Sequence, residues 1–282
     1  MNPLLIGTRR AASHVLRPLV RRAAKAYVAG EHLCDALATQ ERLAERGITA
    51  TLGYWDGPAD SPRRVADHYL AAVTALGGRG AYLSTKPPAL GFSAALAREV
   101  ADAALATGVR LHCDSHAIDA ADPSIAVAEQ MLAAGGVVSF TLPGRWRRSL
   151  GDAQWAIDRR VPVRVVKGQW SDPADPARDL RGGYLELIDA LAGRAASVDV
   201  ATHDVPLALE AIGRLETAGT PSTWELLYGL PMRAALRLAN ERNIATRVYV
   251  PYGEAYLPYA LGKLRHEPRI AWWLLKDMLT LN

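Results

Sequence analysis

The chain reads as an α/β protein, a (β/α)8 TIM-type barrel with an N-terminal helical extension. Three observations predict this. The 282 residues suit a barrel of roughly 250 residues with a lead-in. Eight short β-rich apolar runs recur, most of them followed by an Ala/Leu-rich helical stretch, and such alternation argues for a parallel sheet that eight units can close. A doubly wound open sheet is the competing arrangement. It usually carries a Gly-rich phosphate loop after its first strand. Here that strand runs into Tyr54-Trp55-Asp56-Gly57-Pro58 instead.

Residues 12–46 form the helical lead-in, which divides the chain into 1–46 and a barrel over 47–282. The strand runs are 48–55 (ITATLGYW), 80–86 (GAYLSTK), 109–114 (VRLHCD), 137–142 (VVSFTL), 161–167 (VPVRVVK), 197–202 (SVDVAT), 223–228 (TWELLY) and 245–250 (ATRVYV). Between them, 94–106 places apolar residues on one helical face with Glu99 and Asp102 opposite. A helix over 124–134 enters at Pro123-Ser124 and stops at Gly135-Gly136. The polar, Pro-rich stretch 171–178 (SDPADPAR) is a loop over the barrel mouth.

Composition excludes several classes. Half the residues are hydrophobic and 22% are charged, an ordinary globular balance. The net charge of +4 is spread over scattered pairs such as Arg63-Arg64, Arg147-Arg148 and Arg159-Arg160, which read as solvated helix faces and not a nucleic-acid surface. Two cysteines, Cys34 and Cys113, form no disulfide or metal framework, so a reducing cytoplasm is expected. No apolar run reaches the 18 or so residues of a membrane span. Residues 1–22 lack the features of a signal peptide and read as a surface helix, with at most a transient membrane-surface contact.

In a barrel enzyme the chemistry sits just past the C-terminal ends of the strands. Lys86 ends the second strand, Asp114 the third, Lys167-Gly168-Gln169-Trp170 the fifth and Thr202-His203-Asp204 the sixth. Arg164 lies within the fifth strand and Tyr249 within the eighth. Each has a structural alternative. Lys86 could face solvent, Asp114 could cap a helix or pair with Arg110, and His203 could be satisfied by backbone groups. Tyr249 could be ordinary core. Arg164, set among Val163, Val165 and Val166, needs an anionic partner if buried, and a ligand is the reading preferred for it. The His112-x-Asp114-x-His116 run could bind a metal; splitting by the pleat and the strand end is the reading preferred, and no metal is assigned.

Several runs resemble the proline dehydrogenase family. Arg164-Val165-Val166-Lys167-Gly168 is similar to its R-L-V-K-G, Ala201-Thr202-His203-Asp204 to its A-T-H-[ND], and Tyr249 to Glu254 with Pro258-Tyr259 to its Y-V-P-Y-G-E…P-Y. Ser84-Thr85-Lys86 with Leu90-Gly91, Leu227-Tyr228-Gly229, and the run Tyr27-Val28-Ala29-Gly30-Glu31 match further family segments. The resemblance implies a barrel that binds FAD non-covalently and oxidises a C–N bond of proline or a related cyclic amine or amino-acid derivative. It implies that Arg164, Val166, Lys167, Gly168, Thr202 and His203 hold the cofactor. It places Lys86 against the substrate carboxylate, with Asp114, Tyr249 and Lys263 as the other catalytic positions. Trp170, Leu227, Tyr259, Gly262 and His266 would line the substrate pocket, and a quinone would accept the electrons.

The chain also departs from that pattern. Where the family has Y-[LF]-x-R-R-L-x-E, this chain has Tyr259 to His266, with Gly262 and Lys263 at the two Arg positions and His266 at the Glu. A bidentate guanidinium is not replaced by these. A flavin-facing Gln falls on Pro143, a Glu on His116 and a loop Tyr on Trp170. Three readings follow: a different cyclic amine or amino-acid substrate; proline itself, with Arg265 or Arg145 reaching in; or a degenerate barrel that binds a ligand or partner without turnover. The bulky Trp170 and the small Gly262 point to a reshaped pocket, which favours the first.

Overall fold

The computed structural model describes residues 29–254. Within them, α1 (Leu33–Ala44) precedes a closed parallel barrel in chain order. Its strands are β1 (Thr49–Tyr54), β2 (Tyr82–Thr85), β3 (Arg110–Cys113), β4 (Val138–Pro143), β5 (Val163–Val166), β6 (Val198–Ala201), β7 (Ser222–Leu227) and β8 (Thr246–Tyr252). The helices between them are α2 (Pro62–Leu76), α3 (Ala94–Thr107), α4 (Ala121–Ala133), α5 (Ser149–Asp158), α6 (Leu180–Leu191), α7 (Val205–Thr217) and α8 (Arg233–Glu241). All eight predicted strand runs are strands, with ends displaced by no more than two residues. The α4 helix starts three residues earlier than the sequence predicts, because Pro123 sits in its first turn, where a missing N–H costs nothing.

Local chemistry sets the helix starts. Ser61 and Ser93 accept from Arg64 and Leu96 N–H, both at 3.3 Å, and Asp204 accepts from Leu207 at 3.2 Å, each satisfying a donor of the first turn. The α1 helix packs on both β1 and β8, with Ala36 and Leu43 buried, so it covers the seam where the ring closes.

Strand alternation divides each strand between two environments. One set, Leu52, Leu83, Leu111, Leu142, Val165, Val200, Leu226 and Val250, is at most 1% exposed and belongs to the apolar core shared with the helices. The other set faces the barrel interior. In most such barrels that interior is aliphatic. Here it holds Ser84, His112, Ser139, Thr141, Arg164, Asp199, Glu225, Arg247 and Tyr249, and almost all of them are buried.

Candidate active site

The centre of the interior is Arg164 on β5, 3% exposed. Glu225 on β7 accepts from its Nε at 2.8 Å and its Nη2 at 2.6 Å. Asp114, just past β3, accepts from Nη1 at 2.7 Å. These contacts use three of the five N–H groups of a guanidinium. The counter-charge that the sequence assigns to a ligand is therefore supplied by the chain itself. Burial works against the charge on Arg164, but Glu225 and Asp114 outweigh it and hold its pKa above the ordinary value.

Asp114 is in turn fixed on its other oxygen. Ser84 donates to Oδ2 at 2.7 Å and Tyr249 at 3.0 Å. It neither caps a helix nor pairs with Arg110, whose guanidinium donates to the Tyr82 hydroxyl at 2.8 Å. The Tyr249 ring lies 5.2 Å from the Arg164 guanidinium, and burial together with the Asp114 charge pushes its hydroxyl pKa far up, so it stays a donor. Gly53 makes room for this phenol: a Cβ there would stand 2.1 Å from the Tyr249 oxygen.

Lys86, at the end of β2, opens into the same mouth. Its Nζ donates to the Tyr54 carbonyl at 2.7 Å and to Asp56 at 3.2 Å, and it lies 4.9 Å from the centre of the Trp55 ring. Burial lowers its pKa, while Asp56 and Asp114 oppose that shift. Asp114 thus bears on both cations, Arg164 by hydrogen bond and Lys86 by charge.

Deeper in, His112 is fully buried between two hydroxyls, Nδ1 to Ser139 at 2.7 Å and Nε2 to Thr141 at 2.6 Å. Ser139 gives its own proton to the Leu111 carbonyl at 3.3 Å, so His112 donates from Nδ1 and accepts at Nε2. Burial, then Arg164 and Arg247, push its pKa well down and keep it neutral. Arg247 and Asp199 form a second buried ion pair. Burial and the Glu225 charge raise Asp199 to about 6 against that pairing. His112 lies 3.6 Å from Asp114, but His116 lies beyond the strand and stacks on Trp170 at 5.6 Å. Among the described residues, no three His, Cys, Asp or Glu side chains gather as metal ligands.

The rim carries the remaining predicted residues. The Val166 and Lys167 carbonyls accept from Gly144 and Arg145 at 2.8 and 3.2 Å, extending the β4–β5 pairing past the strands. Gly168 has φ +96°, and a Cβ there would meet Pro143 and Arg145 side-chain carbons at 3.0 and 3.1 Å. Lys167 pairs with Asp204 at 2.9 Å. Thr202 accepts from the Asp204 N–H at 3.1 Å. His203 meets the Pro231 carbonyl at 3.1 Å and accepts from the Leu227 N–H at 2.9 Å, joining the ends of β6 and β7. Tyr259, Gly262, Lys263, Arg265 and His266 lie outside the described residues.

Lys86, Asp114, Arg164 and Tyr249 are thus brought together, with Val166, Lys167, Gly168, Thr202, His203 and Leu227 along the rim above them. Sequence reasoning missed Glu225 and the Arg247–Asp199 pair. The available signal was an acid at an inward position of an apolar run, TWELLY, matching the parity of Arg164. The arrangement combines a fixed buried guanidinium, a buried ammonium and a protonated phenol, a set suited to orienting a small charged ligand.

No family model matches the chain. Among curated proteins it is similar to proline dehydrogenase 1 of Bacillus subtilis, 25% identical over 279 residues, 92% of this chain and 91% of that protein. It is equally similar to proline dehydrogenase of Deinococcus radiodurans, 25% identical over 300 residues, 98% of this chain and 96% of that protein. Among solved structures it resembles proline utilization A of Bdellovibrio bacteriovorus inactivated by N-propargylglycine, with TM-score 0.74 and 16% identity over 95% of this chain. Proline utilization A of Bradyrhizobium japonicum gives 0.69 and 19% over 91%. The chain spans about a third of those solved proteins, 34% and 32%, and the likeness to them is one of fold.

Proposed function

We propose that this chain, a relative of the proline dehydrogenases along nearly its whole length, is an FAD-dependent oxidoreductase acting on a C–N bond of proline or a related cyclic amine or amino acid. The observation that carries this reading is the buried Arg164–Asp114–Tyr249 cluster, with Lys86 beside it, at the C-terminal mouth of a closed barrel.

The residues present fit a flavin in kind. Half-buried Val166, Ala201 and Leu227 top the inward faces of three adjacent strands, an apolar floor for a planar ring. Arg164 stands below them, and Lys167 and Arg145 lie at the lip, where a diphosphate would be held. Thr202, His203 and Gly168 complete the rim. When bound, FAD supplies a hydride acceptor at its N5.

The chain's own groups do the positioning. Lys86 meets the substrate carboxylate. Its pairing with Asp56 and the Tyr54 carbonyl places the ammonium in advance, so little side-chain entropy is lost on binding. Asp114 and Tyr249 would shape the substrate side, and Arg164 would offer fixed positive charge to a bound flavin. His116 stacks on Trp170, which this reading assigns to the substrate pocket. From the sequence pattern, Lys263 supplies a second cation for the carboxylate, and Tyr259, Gly262 and His266 complete the pocket.

The chain divides in this reading into a lead-in over 1–46 and a barrel over 47–282, and α1 of the lead-in packs on β1 and β8. The electron acceptor is a quinone reached by transient surface contact, and the setting is the reducing cytoplasm, where free Cys34 and Cys113 persist. No described helix is long and apolar enough to cross a membrane. Among the described residues, Arg63 pairs with Asp67 and Glu99 and Arg148 with Asp122 and Asp152. Nothing in the geometry favours a barrel without turnover. The test is direct: the purified protein incubated with FAD should retain a flavin spectrum that bleaches when L-proline or a cyclic amine is added without oxygen. Protein that takes up no FAD overturns the reading.

A further inference from the structure

Arg164 carries one positive charge, and two carboxylates share it. Glu225 holds the guanidinium by a paired contact from β7, with both side chains at most 4% exposed. Asp114 takes the third N–H from the other side of the interior. The two acids differ in what they touch. Asp114 also bonds Ser84 and Tyr249 at the mouth. Glu225 is 2% exposed and makes its contacts to Arg164 inside the barrel, near enough to Asp199 to raise it. The hydrogen bonds of Glu225 run to Arg164 and not to a group at the mouth, where a ligand would lie. Its effect on one passes through Arg164.

We propose that Glu225 is the positioning and charge-setting residue for Arg164. It fixes the guanidinium plane before any ligand arrives. Its buried negative charge also offsets part of the positive charge that Arg164 offers to a flavin, and so sets the oxidising strength of that flavin. This rests on the flavin reading above. Two physical points support it. A bidentate carboxylate fork fixes both the position and the plane of a guanidinium, whereas a single contact leaves it free to rotate. And in a water-poor interior a charge a few ångströms further off is weakly screened, so removing it changes the balance between a neutral and an anionic ring.

The experiment uses full-length protein loaded with FAD and compares wild type with Glu225→Gln and Glu225→Asp. The readouts are FAD stoichiometry, the midpoint potential from a dithionite titration with a reference dye, and substrate-driven bleaching. Glu225→Gln removes the charge and keeps the shape. Its bound flavin should become easier to reduce, with a roughly tenfold gain for the reduced form, about 30 mV for a two-electron couple. Glu225→Asp keeps the charge but shortens the reach. Its potential should stay at the wild-type value while bleaching by substrate slows about tenfold. Full FAD occupancy with an unchanged potential in Glu225→Gln overturns the proposal and leaves the flavin reading intact. Should that variant fail to fold, wild-type bleaching by Glu225→Asp overturns the proposal on its own. Failure of the wild type to bind FAD removes both.

Discussion

Arg164 and Glu225 face one another across the barrel interior from β5 and β7, joined by two hydrogen bonds of 2.8 and 2.6 Å. The strand between them, β6, puts Asp199 at the same level as Arg164, and β8 puts Arg247 level with Glu225, so two acids lie between two arginines along that part of the wall.

Breaking this pair from one side should be far more damaging than removing both partners. Glu225→Ala leaves a guanidinium with only Asp114, and a loss of about 3–5 kcal/mol is expected. Arg164→Met combined with Glu225→Leu should lose less than the single Glu225→Ala. Urea unfolding of both variants checks this, and equal or additive losses would show that the pair is not coupled.

Gly53→Ala should cost about 1–3 kcal/mol, because the added methyl collides with the Tyr249 hydroxyl at 2.1 Å. Tyr249→Ala in the same chain should recover much of that loss, and Tyr249→Phe less, since the collision reaches ring carbons at 2.4 and 2.8 Å. Melting temperatures of the three variants decide it.

Stability should depend on pH through Asp199. Its folded pKa of about 6 lies above the ordinary value near 4, so the folded state binds the proton more tightly than the unfolded state. Stability is then highest below pH ~4 as far as this group is concerned, and falls as pH rises to about 6, by on the order of 1–3 kcal/mol. Asp199→Asn should remove that slope. An unfolding series between pH 4 and 7 in both proteins measures it.

The eight strands were legible because each is a short β-rich apolar run between helical stretches. Arg164 was legible as a cation where only a counter-charge permits one. Its partner was not. Glu225 sits 61 residues away between Trp224 and Leu226, which bury on the opposite face, and nothing local couples the two positions. Tyr249 and Asp114 are 135 residues apart and meet only once the ring is closed. Side-chain partners of this kind depend on barrel register, which periodicity does not supply.

Lys86 should govern carboxylate affinity under the proposed function. Lys86→Met is expected to raise KM for proline at least tenfold with FAD content unchanged, the loss of one charge-assisted contact. Because burial depresses the Lys86 pKa, the rise of KM at alkaline pH should begin below the ordinary lysine value of about 10.4. Steady-state kinetics across alkaline pH tests this; a flat KM would remove Lys86 from substrate binding.

From the sequence pattern alone, replacing Gly262 and Lys263 by arginine should strengthen proline binding by on the order of 1–3 kcal/mol. Titration of proline against the oxidised holoprotein reads the gain. No change would place the substrate carboxylate elsewhere.

Asp114, on the first half of the chain, finds its partners Arg164 and Tyr249 on the second. A β1–β4 half would leave that carboxylate with Ser84 but without Arg164 or Tyr249, a buried charge short of its counter-charge at a cost of several kcal/mol. Half-barrels of this chain are therefore poor folding units on their own. The charges inside the barrel act as a completion check: eight strands close together, or the ions at their centre keep the structure from settling.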